Sequence, residues 1–231
     1  MGGCLADAAL ALQDGRTRGG SPFALATAAM PSDSRPFDAI IFDLGGVIVA
    51  HDNAVMVERV ASRCNATPRE VSRLMRRRPW DTGAPIAELH GELAAELGYE
   101  GDFDGFAADF CCHFAVDPSM LALTQQLSRG QRVLLFSNTN QVHWDFLVAE
   151  TNGALGAFEA YLSHELGAAK PAVEAFQLVA QKAGIAPARS LFFDDVAANV
   201  EGARLAGFQA EVFTDEPALR ALLADRRVRL C

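Results

Sequence analysis

Positive charge is scarce in this sequence: 20 Lys and Arg stand against 29 Asp and Glu, for a formal net charge of −9 and a pI near 5.0. A nucleic-acid-binding surface needs a basic field over much of the protein, so this balance argues against a nucleic-acid partner while leaving room for a local basic patch. No run approaches the roughly 20 apolar residues that span a bilayer, and no membrane partner is expected. None of the five cysteines, Cys4, Cys64, Cys111, Cys112 and Cys231, belongs to a CxxC pair; their number is odd and two are adjacent. That is no disulfide framework, and a reducing cytoplasm is the expected setting. The GxGxxG of dinucleotide sites is missing too, since DLGGV at 43–47 does not supply it.

What the chain does have is apolar sequence, 50% of its 231 residues. That suffices for one α/β domain with a modest insertion, or for two small domains. The stretch AIIFDLGGV at 39–47 reads as a buried parallel strand that delivers Asp43 at its carboxyl end. One isolated Asp would be better read as a helix cap or turn residue. Here the pattern recurs: VLLF at 133–136 runs into Ser137 and Asn138, and LFF at 191–193 runs into Asp194 and Asp195. In a parallel sheet such ends lie side by side, where open α/β sheets place their chemistry.

From Pro118 onward, strands alternate with helices. A helix ends at Gly130, QRVLLF follows, a helix begins near Gln141, and a short strand is expected at YLS. Then come a helix from Pro171 to about Gly184, the strand SLFF, a helix to Gly207, the strand QAEVF and a last helix over Glu216 to Ala224. This alternation implies right-handed crossovers and a doubly wound, Rossmann-like parallel sheet with helices on both faces. Residues 37–50 and 117–225 form this core, and 226–231 read as a frayed tail. Residues 51–116 read as a small all-helical insertion after the first strand. Thr67, Pro68 and Glu70 supply an N-cap, a first-turn proline and a capping-box acid; a second helix spans Ala84 to Leu97 before Gly98, and a third lies within 103–115. Residues 1–36, rich in Ala, Gly, Ser and Pro, are expected to lie outside the fold, with Met30 a second candidate for the start. Nothing in the sequence specifies an oligomeric state.

FDLGGV, FSNTN, Lys170 in AAKP and FFDDVAAN resemble, in order, the four motifs of the haloacid dehalogenase superfamily. SNTNQVHW and the stretch from KPAVEAF to FFDDVAANVEGARLAGF are similar to the bacterial subgroup that includes α-glucose-1-phosphate phosphatases. The resemblance covers about Phe37 to Phe213 and implies a hydrolase, most commonly a magnesium-dependent phosphatase, whose helical insertion is a cap that closes over the site.

Three carboxylates at neighbouring strand ends, Asp43, Asp194 and Asp195, cannot all stay ionised without a compensating charge, and all-oxygen ligation suits Mg²⁺. By resemblance the ligands are Asp43, the Gly45 carbonyl and Asp195, with Asp194 an outer or second ligand and Asn199 behind them. Ser137 and the amides of Asn138 and Thr139 follow a strand and precede a helix, where donors point at an anion. The resemblance gives Lys170 the transferring phosphoryl group and makes Asp43 the nucleophile of an aspartyl-phosphate mechanism. It also marks a departure: phosphatases of the superfamily usually carry an acid/base Asp two residues after the nucleophile, where this chain has Gly45, a glycine the similar subgroup shares. His51 and Asp52 are candidate substitutes, although turn and cap roles suit them better.

The basic stretch Arg73, Arg76, Arg77 and Arg78 reads as a solvated helix face that would draw in an anion if turned to the cleft. Trp80, His90, Cys111, Cys112, His113, His143 and Trp144 read as packing or surface residues. The first expectation is thus a Mg²⁺-dependent phosphatase of a small phosphorylated metabolite, with a sugar phosphate as the candidate class. A metal-independent 2-haloacid dehalogenase and a non-catalytic phosphometabolite-binding protein are the alternatives.

Overall fold

The structure, a computed structural model, describes residues 36–230. The expected N-terminal extension before residue 36, Met30 within it, and Cys231 lie outside the described residues.

Strand β1 (Ala39–Phe42) is the middle of a five-stranded, all-parallel sheet. Beside it lie β4 (Val133–Ser137) and then β5 (Glu159–Leu162) on one side, and β6 (Ser190–Asp194) and then β7 (Gln209–Val212) on the other. Its side chains alternate between faces, as the two-residue period of a strand requires. Ile40 and Phe42 enter a core closed by α5 (Pro118–Ser128), α6 (Gln141–Glu150) and α10 (Glu216–Asp225). Ala39 and Ile41 enter the opposite core, closed by α8 (Val173–Ala183) and α9 (Ala197–Leu205). With both faces covered, the central strands read as unbroken apolar runs, which is why they were legible.

Register aligns the strand ends. Phe42 pairs with Leu135 on one side and Phe193 on the other, so Asp43 comes level with Asp194 and one residue short of Ser137. The chain builds the sheet outward from β1 through β4 to β5, then crosses back to lay down β6 and β7. The switch point therefore opens between β1 and β6, beside Asp43.

The insertion leaves and re-enters the core through an antiparallel ribbon, β2 (Val49–His51) with β3 (Phe114–Val116), in which His51 faces Phe114. Between them come α1 (Asn53–Ala61), α2 (Pro68–Met75), α3 (Ile86–Leu97) and α4 (Phe103–Cys111), which share a core of their own including Val60, Leu74, Leu89 and Phe106. The capping box forms as expected: the Thr67 side chain accepts from Glu70 N, and the Glu70 carboxylate accepts from Thr67 N at 2.8 Å. Gly98 closes α3 in the left-handed conformation at φ 67°.

Several expectations need correction. The all-helical reading of 51–116 omits the ribbon, whose three-residue strands are too short to show a pattern, and it did not single out α1, capped by Asp52 accepting from Ala54 N at 2.8 Å. The helix expected from Pro171 starts at Val173, with Ala172 as its N-cap residue at φ −60° and ψ 129°, and Asn138 holds the Lys170 backbone just before it at both its N–H and its carbonyl. Ser163 opens a one-turn helix, α7 (Ser163–Leu166), instead of ending a strand. Residues 226–230 are not frayed: Val228 N–H donates to the Leu223 carbonyl, Val228 is buried in the core, and Arg226 bonds Gln209 and Glu211. Among the described residues no helix is long and apolar enough to cross a membrane.

Candidate active site

Asp43 sits one residue past the central strand, buried, with its N–H donating to the Phe193 carbonyl at 2.9 Å. Its Oδ1 accepts from Leu44 N at 2.6 Å and from Lys170 Nζ at 2.8 Å, which leaves Oδ2 without a donor from the described residues. Burial pushes its carboxyl up to about 6, against the pull of the Lys170 ammonium, and the Asp194 charge adds to the rise.

Lys170 is the cation of the floor. Its side chain is 1% exposed, and its three ammonium hydrogens have three acceptors: Asp43 Oδ1, Asp194 Oδ2 at 2.7 Å and the Phe136 carbonyl at 3.0 Å. The rings of Phe136 and Phe192 lie 5.3 and 5.5 Å from Nζ, so the ammonium is held by aromatic faces as well. The Asn138 side chain positions this lysine: its Nδ2 donates to the Lys170 carbonyl at 2.8 Å and its Oδ1 accepts from Lys170 N at 2.9 Å.

Asp194 is fully buried and engaged by Lys170, by Val196 N at 2.9 Å and by Asn199 Nδ2 at 3.0 Å to each oxygen. Asp195 is exposed, its carboxylate lying over Gly46, where a Cβ would come within 2.1 Å of Oδ2. Gly46 also has φ 73°, so the close approach and the backbone both call for glycine. Asp43, Asp194 and Asp195 each offer an oxygen within 4.8 Å of the others. Three carboxylates against one ammonium leave excess negative charge, and the all-oxygen donor set fits a hard divalent cation.

Ser137 ends β4 beside Asp43 and lines the cleft. Thr139 lines it too, but its amide is not free for an anion: it donates to Ser163 Oγ at 2.9 Å, and the same hydroxyl donates to the Asp81 carbonyl of the insertion. Ser163 therefore ties the loop after β4 to the helical insertion. Sequence reasoning missed it because the partners are 24 and 82 residues away.

Above this floor is a cavity of about 800 Å³, roofed by the insertion. A Cβ at Gly45 would meet His51 Cε1 at 3.1 Å and Nδ1 at 3.4 Å, so an imidazole fills the space where a side chain at 45 would begin. Beside it a ring seam joins insertion to core: His143 stacks on Phe110 at 4.3 Å and meets Phe114 edge-on at 4.8 Å, with His113 5.5 Å away. Asn140 Oδ1 caps the helix by accepting from His143 N, which leaves Nδ2 to donate to His143 Nδ1 at 3.1 Å. The neutral His143 ring therefore carries its proton on Nε2.

Burial, with the neighbouring imidazoles, drives His113 down to about 4 and His143 to about 3. An unfolded imidazole takes its proton near 6.5, so the unfolded chain binds more protons, and these rings remove stability as pH falls below about 6.5. Asp43, raised in the fold, acts in the opposite sense between about 4 and 6. We expect the urea midpoint to fall from about pH 7 to pH 5, and to fall less in His143→Gln. Equal slopes in the two proteins would remove the seam from the account.

A sequence model of the family described as haloacid dehalogenase-like hydrolase matches residues 37–207. A protein of Mycobacterium tuberculosis named as a phosphatase is 29% identical over 186 residues, 74% of this chain and 85% of its own length. A haloacid dehalogenase family enzyme of Bacteroides thetaiotaomicron, solved with magnesium and inorganic phosphate, superposes with a TM-score of 0.70 at 23% identity, covering 79% of this chain and 98% of its own. A Porphyromonas gingivalis protein described as a predicted haloacid dehalogenase-like family hydrolase gives 0.72 at 22% identity, covering 82% and 98%. At these identities the two structures speak to the fold.

Proposed function

This chain belongs to the haloacid dehalogenase-like hydrolase family, and on that premise we propose that it is a Mg²⁺-dependent phosphatase of a small phosphorylated metabolite, with Asp43 as its nucleophile. The observation that carries this reading is the floor itself: a buried carboxylate at the switch point with one oxygen free of donors, a buried ammonium against its other oxygen, and Asp195 alongside. The relative named as a phosphatase and the neighbour holding magnesium and phosphate support it.

Asp43, the Gly45 carbonyl and Asp195 would hold Mg²⁺, with Asp194 behind them oriented by Asn199, and the ion supplies neutralisation of charge on the phosphoryl oxygens. Asp43 Oδ2 attacks phosphorus, the bond to the leaving oxygen breaks with its electron pair on that oxygen, and a proton completes the alcohol. Water then attacks phosphorus, releasing orthophosphate and regenerating Asp43. Lys170 screens Asp43 from the incoming anion and exchanges that contact for a phosphoryl oxygen, while Ser137 donates from the side. Asn138 acts through Lys170. His51, whose ring lies over Gly45 and lines the cleft, is the residue we assign to protonating the leaving oxygen. Sugar phosphates fit this scheme as the candidate class.

The test is phosphate release from a panel of phosphorylated metabolites, with Mg²⁺ and with a chelator. Release that requires Mg²⁺ is expected; none from any ester sinks the reading, and metal-independent chloride release from 2-haloacids replaces it. A positioned general acid contributes about 100- to 10,000-fold, so His51→Ala should slow alkyl phosphates by roughly that much and aryl phosphates, whose leaving groups need little help, far less. The measurement is kcat/KM against leaving-group pKa. An equal loss across the series would take the proton away from His51.

A further inference from the structure

We infer that the insertion's wall of the cleft carries an anion subsite centred on Arg76, so that the favoured substrates are phosphomonoesters bearing a second anionic group, a carboxylate or another phosphate, across an apolar spacer. This rests on the phosphatase reading and adds to it.

Arg76 differs from its neighbours in having no acid beside it among the described residues. In the basic stretch that ends α2, Arg77 is paired with Glu96 at 2.6 Å, and Arg78 is held by Glu88 and by Glu92 at 2.6 Å. Arg76 lines the cavity and has no carboxylate partner among the described residues; its bond is from Nη1 to the hydroxyl of Ser72, a neutral acceptor that lines the same cavity. On the floor, Lys170 is already shared by Asp43 and Asp194. Among the described residues lining the cleft, Arg76 is thus the cation that no acid neutralises. A guanidinium has five N–H donors, and Ser72 uses one while fixing the group's orientation, so a forked face remains for a planar or tetrahedral anion.

The insertion also contributes Met56, Met75, Trp80 and Leu89 to the cavity lining, together with the polar Asn53 and Asp81, and Trp80 is locked by Nε1–H donating to the Met75 carbonyl at 2.6 Å. The cavity, about 800 Å³, holds far more than orthophosphate. A monoester whose remainder is uncharged would leave the arginine unanswered. One with an anion at each end and a less polar middle satisfies both walls.

The test uses α,ω-alkanediol bisphosphates of graded chain length, each against the ω-hydroxyalkyl monophosphate of the same length. At the length that spans the cleft, wild type should prefer the bisphosphate on the order of 10- to 100-fold in kcat/KM, mostly through KM, the scale of a charge-assisted pair. Arg76→Met should bring the ratio close to unity, and Arg76→Lys should keep part of it. Arg76 is exposed, and a matching thermal melt checks that each variant folds. A ratio near unity in wild type at every length, or one unchanged in Arg76→Met, overturns the subsite while phosphate release from the monophosphates leaves the phosphatase reading standing. If no ester is turned over, that reading fails, and calorimetry with the bisphosphates and orthophosphate decides the subsite: tighter bisphosphate binding lost in Arg76→Met supports it, and equal binding overturns it.

Discussion

Asp43→Asn is expected to end turnover and yet to give a protein that melts above wild type. Turnover ends because an amide cannot take the phosphoryl group. Stability rises because burial holds the Asp43 carboxyl up at about 6, so at neutral pH the fold keeps an anion that water would hold more comfortably. The sign follows from linkage: a carboxyl whose folded pKa is raised favours the fold below its unfolded pKa, and that advantage is lost as pH climbs through about 6. Asparagine keeps the neutral state and the volume, and leaves Lys170 paired with Asp194 alone. In a chain of this size, even about 1 kcal/mol appears as roughly 2–4 °C, readable by calorimetry without metal. Phosphate release near the wild-type rate would show that Asp43 is not the nucleophile; a lower melting temperature would show that Lys170 needs both carboxylates.

Lys170→Met should have the largest effect on the fold. It removes the ammonium between two buried carboxylates, strips the Phe136 carbonyl of its donor and leaves the faces of Phe136 and Phe192 without their cation. Breaking a buried ion pair from one side costs about 3–5 kcal/mol, since the stranded charge stays buried. The same change made on Asp43→Asn should cost clearly less, because only Asp194 is then stranded, and Asp194 keeps Asn199 and the Val196 amide. Urea unfolding of the four proteins measures this as a coupling energy. An equal cost in both backgrounds would mean that packing, and not charge, is what Lys170 supplies. Neither protein with the Asp43→Asn change should turn over.

The sheet and the meeting of its polar ends were legible because AIIF, VLLF and LFF are buried on both faces, and an apolar run that stops at Asp or Ser needs no partner to be seen. The capping box at Thr67 and Glu70 was legible for the same reason: both halves lie within one turn. What escaped depends on residues distant in sequence. Nothing near Thr139 says that its amide belongs to Ser163, and nothing near Asn138 says that both ends of its amide are engaged by the Lys170 backbone. His51 could be marked as close to the strand end in sequence, but only the ribbon turns its ring over Gly45. The basic stretch was half legible. Arg77 pairs with Glu96 away from the cavity, as expected of such a face, whereas Arg76 and Arg78 both line the cavity and, among the described residues, only Arg78 of the two has carboxylate partners.

The ribbon of Val49–His51 with Phe114–Val116 also bears on how such a chain can vary. Both ends of the insertion meet in register at one point, so the sheet experiences everything between them as if it were a turn. Closing a loop costs only the logarithm of its length, and a loop that folds on itself costs less still. The excursion could therefore lengthen, shorten or be exchanged without altering the spacing between β1 and β4, and with it the position of Asp43. Under the proposed function, the strand ends would set what is done to the bound molecule and the insertion which molecule is admitted, so the two could be altered as separate units.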